Sequence, residues 1–321
     1  AGPRLAAGVG RAGPLLALAA ACLLFALRTD RFLTGENIAL ILQQVMVVGV
    51  LAAGQTLVIL AAGVDLACGA AMAFGGVVMA GLAVSGAVPV PVAVAAGVGA
   101  SALVGLVNGL LVSAVRLPPF IATLGTLNVT FALTQLLAGG QPVTDLPAPL
   151  LALGETFRLG GAGGVPVVYG VPLLLLVYAA ASYVLGRTAA GRHLYAVGGA
   201  PEAARLAGVR TGRVLLGTYA AAGALYGVAA LLLVARTGVG DPNAGQTDNL
   251  DAITAVVLGG TSLFGGRGRV WGSLVGALTV GVFRNGLTLL GVDPVYQILV
   301  TGVLVVLAVA ADQLARRGGR R

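Results

Sequence analysis

The chain has 321 residues, of which 58% are apolar and only 9% are charged, whereas soluble domains carry about 25% charged residues. A soluble surface of this size needs more charge, so the composition excludes a cytosolic enzyme, a disordered protein and a nucleic-acid-binding domain. The net charge of +8 does not indicate a nucleic-acid partner, because the arginines stand between apolar runs instead of forming one patch.

Apolar runs bounded by charges, prolines or glycine clusters predict membrane spans along the whole chain. About 20 apolar residues cross a bilayer, so ten spans need roughly 200 residues, which this chain supplies. The alternation typical of membrane β-strands is absent. We therefore predict an all-α polytopic membrane protein with about ten transmembrane helices in one domain, 1–321. The predicted spans are 12–28, 39–62, 66–86, 90–114, 119–138, 166–186, 214–235, 251–264, 270–290 and 295–311.

The eighth predicted span, 251–264, is short, reaching about 21 Å against a hydrocarbon core of ~30 Å. If the N-terminus is inside and this segment crosses, most arginines lie in cytoplasmic loops, and the outer ones are Arg28, Arg31, Arg158 and Arg236. If it does not cross, Arg267, Arg269 and the four C-terminal arginines move outside, and the positive-inside rule fails. We therefore expect the segment to cross and both termini to be cytoplasmic.

Two long connections carry further signals. The outer segment 139–165 contains either a short interfacial helix at Pro147–Leu153 or a plain flexible loop. In the cytoplasmic segment 187–213, Pro201 suits the first helical position, Glu202 the first turn and Gly208 the position after the helix end. This predicts a helix over Pro201–Ala207. A helix so short is marginal in water, so it must dock on this protein or on a partner.

The chain lacks the groups that nucleotide, metal or covalent chemistry requires. It contains no lysine, and a phosphate-binding Walker A loop needs one, so we expect no ATPase site of its own. Cys22 and Cys68 lie in apolar stretches and are interpreted as small buried hydrophobes. No metal-ligand cluster or catalytic constellation is evident, so we expect no catalytic residue, no metal and no cofactor.

Polar residues inside the spans are the candidates for a solute pathway. Thr123, Thr126 and Thr130 are spaced three and four apart and share one helix face, which we predict to line a pathway together with Asn285. The alternative for each is hydrogen bonding between helices. Asp65, at the turn between spans two and three, either caps the next helix, pairs with an arginine or borders the pathway.

Charged groups within the spans are few. Arg284 lies near the outer end of its span and is expected to snorkel towards water. A proton-driven carrier usually needs a relay of buried acids or histidines. We expect no such relay and no buried charge pair, which favours a neutral solute and an external source of energy.

Glycines at helical spacing predict close helix packing. Gly268, Gly272 and Gly276 fall at i, i+4 and i+8 and are expected to form one bare stripe on the ninth span. Gly105 and Gly109 repeat this spacing on the fourth span, as do Gly223 and Gly227 on the seventh.

Several long stretches resemble the permease subunits of bacterial ABC importers for ribose and related simple sugars. They include LVILAAGVDLACGAAMA, LPPFIATLGTL, GRHLYAVGGAPEAARLAGVR and LDAITAVVLGGTSLFGGRGRVWGSLVGAL, and the resemblance covers roughly residues 35–313 in order. It implies a subunit of the bacterial inner (plasma) membrane, with about ten spans, surrounded by lipid and paired with a second, identical permease subunit. It further implies a cytoplasmic ABC ATPase that binds the ATP and an extracytoplasmic sugar-binding protein.

In that family a cytoplasmic E-A-A-R-L-x-G-I-like run docks on the ATPase. The resemblance therefore assigns ATPase coupling to the segment that follows Pro201, with the matching residues Glu202, Ala203, Arg205, Leu206 and Gly208. Three alternatives stay open. One is a permease of the same family for branched-chain amino acids or nucleosides, another is an ion-coupled secondary carrier, and the last is a passive channel.

Overall fold

The computed structural model describes residues 2–159, 164–293, 295–300 and 302–303. The chain is mainly helical, and a hairpin of two short strands interrupts the helices. The elements are α1 (Gly2–Arg28), α2 (Gly35–Leu60), α3 (Cys68–Ser85), α4 (Val90–Ser113), α5 (Pro119–Ala138), α6 (Ala148–Leu151), β1 (Thr156–Leu159), β2 (Val165–Val168), α7 (Gly170–Arg187), α8 (Ala189–Gly199), α9 (Pro201–Leu206), α10 (Thr211–Thr237), α11 (Asp248–Leu258) and α12 (Val270–Leu289). Most of the tenth predicted span, 295–311, lies outside the described residues, as do the last four arginines.

Six of the described helices are long and apolar enough to cross a membrane, namely α2, α3, α4, α5, α7 and α10. Their bounds agree closely with the predicted spans, and α5 coincides with its prediction, 119–138. Pro119 occupies the first turn of α5, where its missing N–H costs nothing. Gly139 ends the helix in the left-handed region at φ 60°, where an L side chain is strained. The prediction of a polytopic helical membrane protein is thus confirmed.

Helix α2 forms the centre of the bundle, and most of its residues are buried. It packs against α10, α11, α12 and α7. Tyr178 of α7 is fully buried and donates a hydrogen bond of 2.8 Å to the carbonyl of Gly49. The core around α2 is therefore mainly apolar, and buried tyrosines of α7 and α10 donate hydrogen bonds to α2.

Small residues bring helix backbones into contact, as their spacing predicts. A Cβ added to Gly105 of α4 would lie 2.9 Å from the Cα of Gly223 in α10, so these helices meet almost without side chains between them. On α12, Gly272 and Gly276 face Gly259 and the carbonyl of Ala255 in or beside α11.

Gly268 does not belong to the predicted stripe. Helix α12 begins only at Val270, and Gly268 lies in the preceding turn at φ 157°, where a Cβ would collide with Thr261. The i, i+4, i+8 spacing is real in the sequence, but the helix starts after its first member.

The eighth predicted span has a different form from the one expected. The helix is α11, Asp248–Leu258, which at 1.5 Å per residue reaches only about 16 Å. Gly240 pairs with Val143 in the loop after α5, whereas the amide of Gly266 donates to the carbonyl of Leu60 at the far end of α2. The segment between them therefore runs from one end of the bundle to the other, although only part of it is helical.

Both long connections are more ordered than expected. Segment 139–165 contains α6, which confirms a short helix within Pro147–Leu153, followed by a 3-10 turn. It also contributes β1, which pairs antiparallel with β2 so that Thr156 faces Val168. The all-α prediction missed this hairpin. Segment 187–213 contains α8 in addition to the predicted helix.

Candidate functional site

The predicted pathway residues near Asp65 converge on one buried polar network. Asp65 is 1% exposed, and its Oδ1 accepts hydrogen bonds from the amide of Ala67, at 2.9 Å, and from Nδ2 of Asn108, at 3.2 Å. The hydroxyl of Thr126 donates to Oδ1 of Asn108. Thr123 donates to the carbonyl of Val64 at 3.2 Å. The network ties α4 and α5 to the turn between α2 and α3.

Thr130 and Asn285 lie apart from this network. Thr130 is buried in α5, one turn beyond Thr126. Asn285 of α12 exchanges two hydrogen bonds, of 3.0 and 2.8 Å, with the side chain of Asn37 at the start of α2. Such reciprocal amide pairs hold helices together where no water is available. A pathway role for Asp65, Thr123, Thr126, Thr130 and Asn285 stays a prediction, and in this structure each contacts protein.

The structure contains an ion pair that the sequence analysis did not predict, in which the acid is buried and the arginine is partly exposed. Nη1 of Arg284 lies 2.9 Å from a carboxylate oxygen of Asp251 and 4.0 Å from one of Asp248. Asp251 is 4% exposed, so its charge requires this partner. The Arg284 side chain reaches the acids of α11 and is itself still 40% exposed.

A polar cavity of about 460 Å³ opens beside this pair. Its lining includes Gln44 of α2, Arg236 of α10, Asp248 and Arg284. The sequence places the two acids in the first turn of α11 but not opposite Arg284, which is 33 residues further along the chain than Asp251. Only the tertiary structure joins them, so the pattern of residues alone did not reveal the pair.

The predicted docking helix forms as α9, Pro201–Leu206, and Ala207 is its C-cap. Gly208 follows at φ 84°, and the amide of Val209 closes the end by donating to the carbonyl of Ala204 at 3.0 Å. Glu202 and Arg205 form an exposed ion pair of 3.0 Å. Leu206 is 84% exposed, so its apolar side chain is open to contact by a partner.

Helix α8 connects the docking helix to the centre of the bundle. A Cβ on Gly198 would collide with the carbonyl of Leu60, and Leu60 also accepts the hydrogen bond from Gly266, at 2.9 Å. Tyr195 donates to the carbonyl of Gly268 at 2.9 Å, and partial burial raises the pKa of this tyrosine. The end of α8, the end of α2 and the turn before α12 thus meet backbone to backbone. The sequence analysis did not predict α8 and so missed this junction.

Among the residues that the structure describes, no group of three or more His, Cys, Asp or Glu side chains is arranged to hold a metal ion. Cys68 is buried as expected, whereas Cys22 is only partly buried.

The chain is similar to known transport proteins along most of its length. The sequence pattern of the family described as the permease component of the branched-chain amino acid transport system matches residues 37–309. The fructose import permease protein of Rhizobium meliloti is 43% identical over 310 residues, covering 95% of this chain and 85% of that protein.

Two ribose import permease proteins show comparable similarity. The protein of Bacillus subtilis is 39% identical over 304 residues, covering 94% of this chain and 92% of its own length. That of Escherichia coli K12 is 40% identical over 298 residues, covering 93% and 92%. No solved structure matches. The family pattern and these relatives span the described helices from α2 onward, and the chain therefore belongs to this family of transport-system permease components.

Proposed function

We propose that the chain is the membrane-spanning permease subunit of an ABC importer that moves a neutral simple sugar, a ribose-like monosaccharide, across the bacterial inner membrane. The observation that carries this proposal is the identity of 39–43% to fructose and ribose import permease proteins over more than nine tenths of the chain. Such a subunit moves solute and is not itself an enzyme.

The proposal includes three protein partners. A cytoplasmic ABC ATPase binds and hydrolyses the ATP, because this chain has no lysine with which to build a Walker A loop. An extracytoplasmic binding protein delivers the sugar, and a second copy of the chain completes the channel as a homodimer. No cofactor of the permease itself and no nucleic acid takes part.

The proposed topology has about ten crossings and both termini in the cytoplasm. The segment between Gly240 and Gly266 supplies the eighth crossing, partly as α11 and partly as non-helical chain shielded by neighbouring helices. A tenth crossing by 295–311 returns the C-terminus to the cytoplasm. Under this arrangement 139–165 is an extracytoplasmic loop and 187–213 is the loop that couples to the ATPase.

Two other cargoes or mechanisms have support of their own. The family's description as a permease component of branched-chain amino acid transport favours a branched-chain amino acid as the alternative cargo. A nucleoside is the other alternative cargo. The ion pair of the partly exposed Arg284 with the buried Asp251 is the observation that favours an ion-coupled carrier, because intramembrane charges often mark ion routes.

The test is uptake by the complete complex in proteoliposomes. The chain is reconstituted with its ATPase and binding protein, and the uptake of radiolabelled D-ribose, D-fructose, L-leucine and adenosine is measured. We expect one of the sugars to accumulate, and only when ATP and both partners are present. Accumulation of leucine alone would show that the cargo is an amino acid and not a sugar. Uptake driven by an ion gradient without ATP would contradict the proposed ABC mechanism.

A further inference from the structure

One edge of α5 carries polar groups that lipid cannot accommodate. Leu124, Asn128, Phe131 and Gln135 follow one another at spacings of four, three and four, and so share a face of the helix. Asn128 is exposed in the middle of this span, and its Nδ2 bonds only to the carbonyl of Leu124 in its own helix, at 3.1 Å. An exposed amide of this kind is costly in hydrocarbon. This edge therefore faces water or polar protein groups.

A polar stretch, 241–249, lies along the same edge. Oδ1 of Asn243 accepts a hydrogen bond of 2.8 Å from Nε2 of Gln135. Asn249 donates to the carbonyl of Leu66 at 3.4 Å, which ties the stretch to the turn between α2 and α3. Hydrogen bonds therefore fix the position of this stretch along its length, from Gly240 to the start of α11.

A pair of glycines brings this stretch against the first turn of α3. A Cβ on Gly69 would collide with the carbonyl of Gly245, and Gly245 itself has φ 76°, a conformation that L side chains rarely adopt. The backbone contact leaves the side chain of Gln246 on the surface. Gln246 is exposed and makes no hydrogen bond within the described residues.

Between α5 and this stretch lies an open cavity of about 310 Å³. Its lining includes Ala70, Leu127, Phe131, Gly245, Gln246 and Asn249. This volume is at the lower end of the range for small-molecule sites, roughly 300–1,000 Å³. None of these lining side chains is charged, so the cavity suits a small neutral solute.

We propose that this cavity, lined by Phe131, Gln246 and Asn249, is a contact site for the monosaccharide during translocation. Each amide side chain both donates and accepts hydrogen bonds, as a sugar hydroxyl does. The ring of Phe131 offers an apolar surface for the C–H face of the sugar. The assignment rests on the proposed function, and it adds a site that the threonine face of α5 does not supply, since Thr123 and Thr130 are buried and do not line the cavity.

The first test asks whether water reaches the cavity, and it needs no sugar. In a chain whose Cys22 and Cys68 are replaced by Ala, Asn128→Cys and Gln246→Cys are compared with Val129→Cys. Val129 is the neighbour of Asn128, is 59% exposed, and points about 100° away around the helix. A membrane-impermeant maleimide is applied to the reconstituted complex. We expect the cysteines at positions 128 and 246 to react and the control to stay unlabelled.

The second test asks whether the amide contacts the sugar. Gln246→Leu keeps a similar volume but removes the hydrogen-bonding groups, and Gln141→Leu removes an exposed amide outside the cavity. ATP-driven uptake of labelled ribose and fructose is measured together with ATP hydrolysis and co-purification of the ATPase. We expect Gln246→Leu to reduce uptake about tenfold, as the loss of a well-formed hydrogen bond implies. The Gln246→Leu complex should still assemble with the ATPase, and Gln141→Leu should take up sugar at the wild-type rate.

The outcomes separate this inference from the proposed function. Failure of the wild-type complex to take up any sugar would contradict the proposed function, while labelling still reports on the cavity. Wild-type uptake combined with normal uptake by Gln246→Leu would overturn the sugar-contact site alone. Labelling of all three cysteines, or of none, would show that no water-lined cavity exists on this edge.

Discussion

Asp65 illustrates how a buried acid inside a membrane protein serves as a structural element. It stands where α2 has ended and α3 has not begun, so nearby backbone amides lack helical partners. Its Oδ1 satisfies the amide of Ala67 and also holds Asn108 of α4. Of the three interpretations that the sequence left open, the cap comes nearest to these contacts, although Asp65 accepts from Ala67, which precedes α3, and not from an amide inside the helix. No arginine pairs with Asp65 among the described residues.

The cap interpretation predicts that the acceptor oxygen matters more than the charge. Asp65→Asn keeps an oxygen that can accept both hydrogen bonds, so folding and ATP-driven uptake should persist. Asp65→Ala leaves the amide of Ala67 and Nδ2 of Asn108 without an acceptor, which costs about 1–3 kcal/mol for each unsatisfied buried group. The measurement is thermal unfolding in detergent, followed by uptake in proteoliposomes.

Asp30→Ala is the matched control, because Asp30 is exposed in the turn before α2 and its removal should change neither property. Loss of uptake in Asp65→Asn with unchanged thermal stability would argue instead that the charge itself takes part in transport.

At the scale of elements, α9 is a short helix whose ends are fixed by its own sequence but whose exposed side lacks a partner. Gly208 and Pro201 close its two ends, and Ala204 is the buried residue that seats it on the bundle. Leu206 points away from that contact and stays exposed. The contacts of α8 with the ends of α2 and α12 give any force on α9 a direct route into the bundle.

We expect Leu206→Asp to uncouple the importer. A contact that buries this leucine on the ATPase contributes about 2 kcal/mol, so its loss should weaken docking more than tenfold. The measurement is sugar-stimulated ATP hydrolysis in the reconstituted complex, with co-purification of the ATPase alongside it. Membrane insertion should be normal, because the side chain is already in water.

Leu33→Asp provides the control, since Leu33 is also exposed, at 67%, but lies in the turn before α2 at the other end of the bundle. If Leu206→Asp assembles and couples as the wild type does, α9 is not the coupling element, and the turn that carries Arg267 and Arg269 becomes the next candidate.

The comparison of sequence and structure shows which features are local. The bounds of α5 and the form of α9 follow from prolines, glycines and apolar runs, all of which act within a few residues. The pair of Arg284 with Asp251, the cavity beside Gln246 and the junction at Leu60 depend on segments that are distant in the chain. The spacing of residues within one segment cannot predict contacts between segments that are far apart in the chain. The hairpin of β1 and β2 was missed because its strands are only four residues long.

At the scale of the whole molecule, α2 runs from one end of the bundle to the other. With 26 residues it is about 39 Å long, enough to cross a bilayer. Pro166 of β2 packs beside Gly35 at its start, and Gly198 of α8 packs against Leu60 at its end. The hairpin and the α8–α9 loop consequently lie at opposite ends of the same spanning helix. From the distribution of arginine we predict that the α8–α9 end faces the cytoplasm.

This geometry predicts the outcome of a labelling experiment on intact cells. In a chain without native cysteines, Glu155→Cys should react with an impermeant maleimide, because this exposed residue precedes β1 on the outer side. Arg210→Cys, exposed before α10, should react only after the membrane is permeabilised. Arg320→Cys should behave like Arg210→Cys if 295–311 makes the tenth crossing. Labelling of Arg210→Cys from outside would show that the bundle has the opposite orientation in the membrane. Labelling of Arg320→Cys alone would show that 295–311 does not cross, and the rest of the proposed topology would stand.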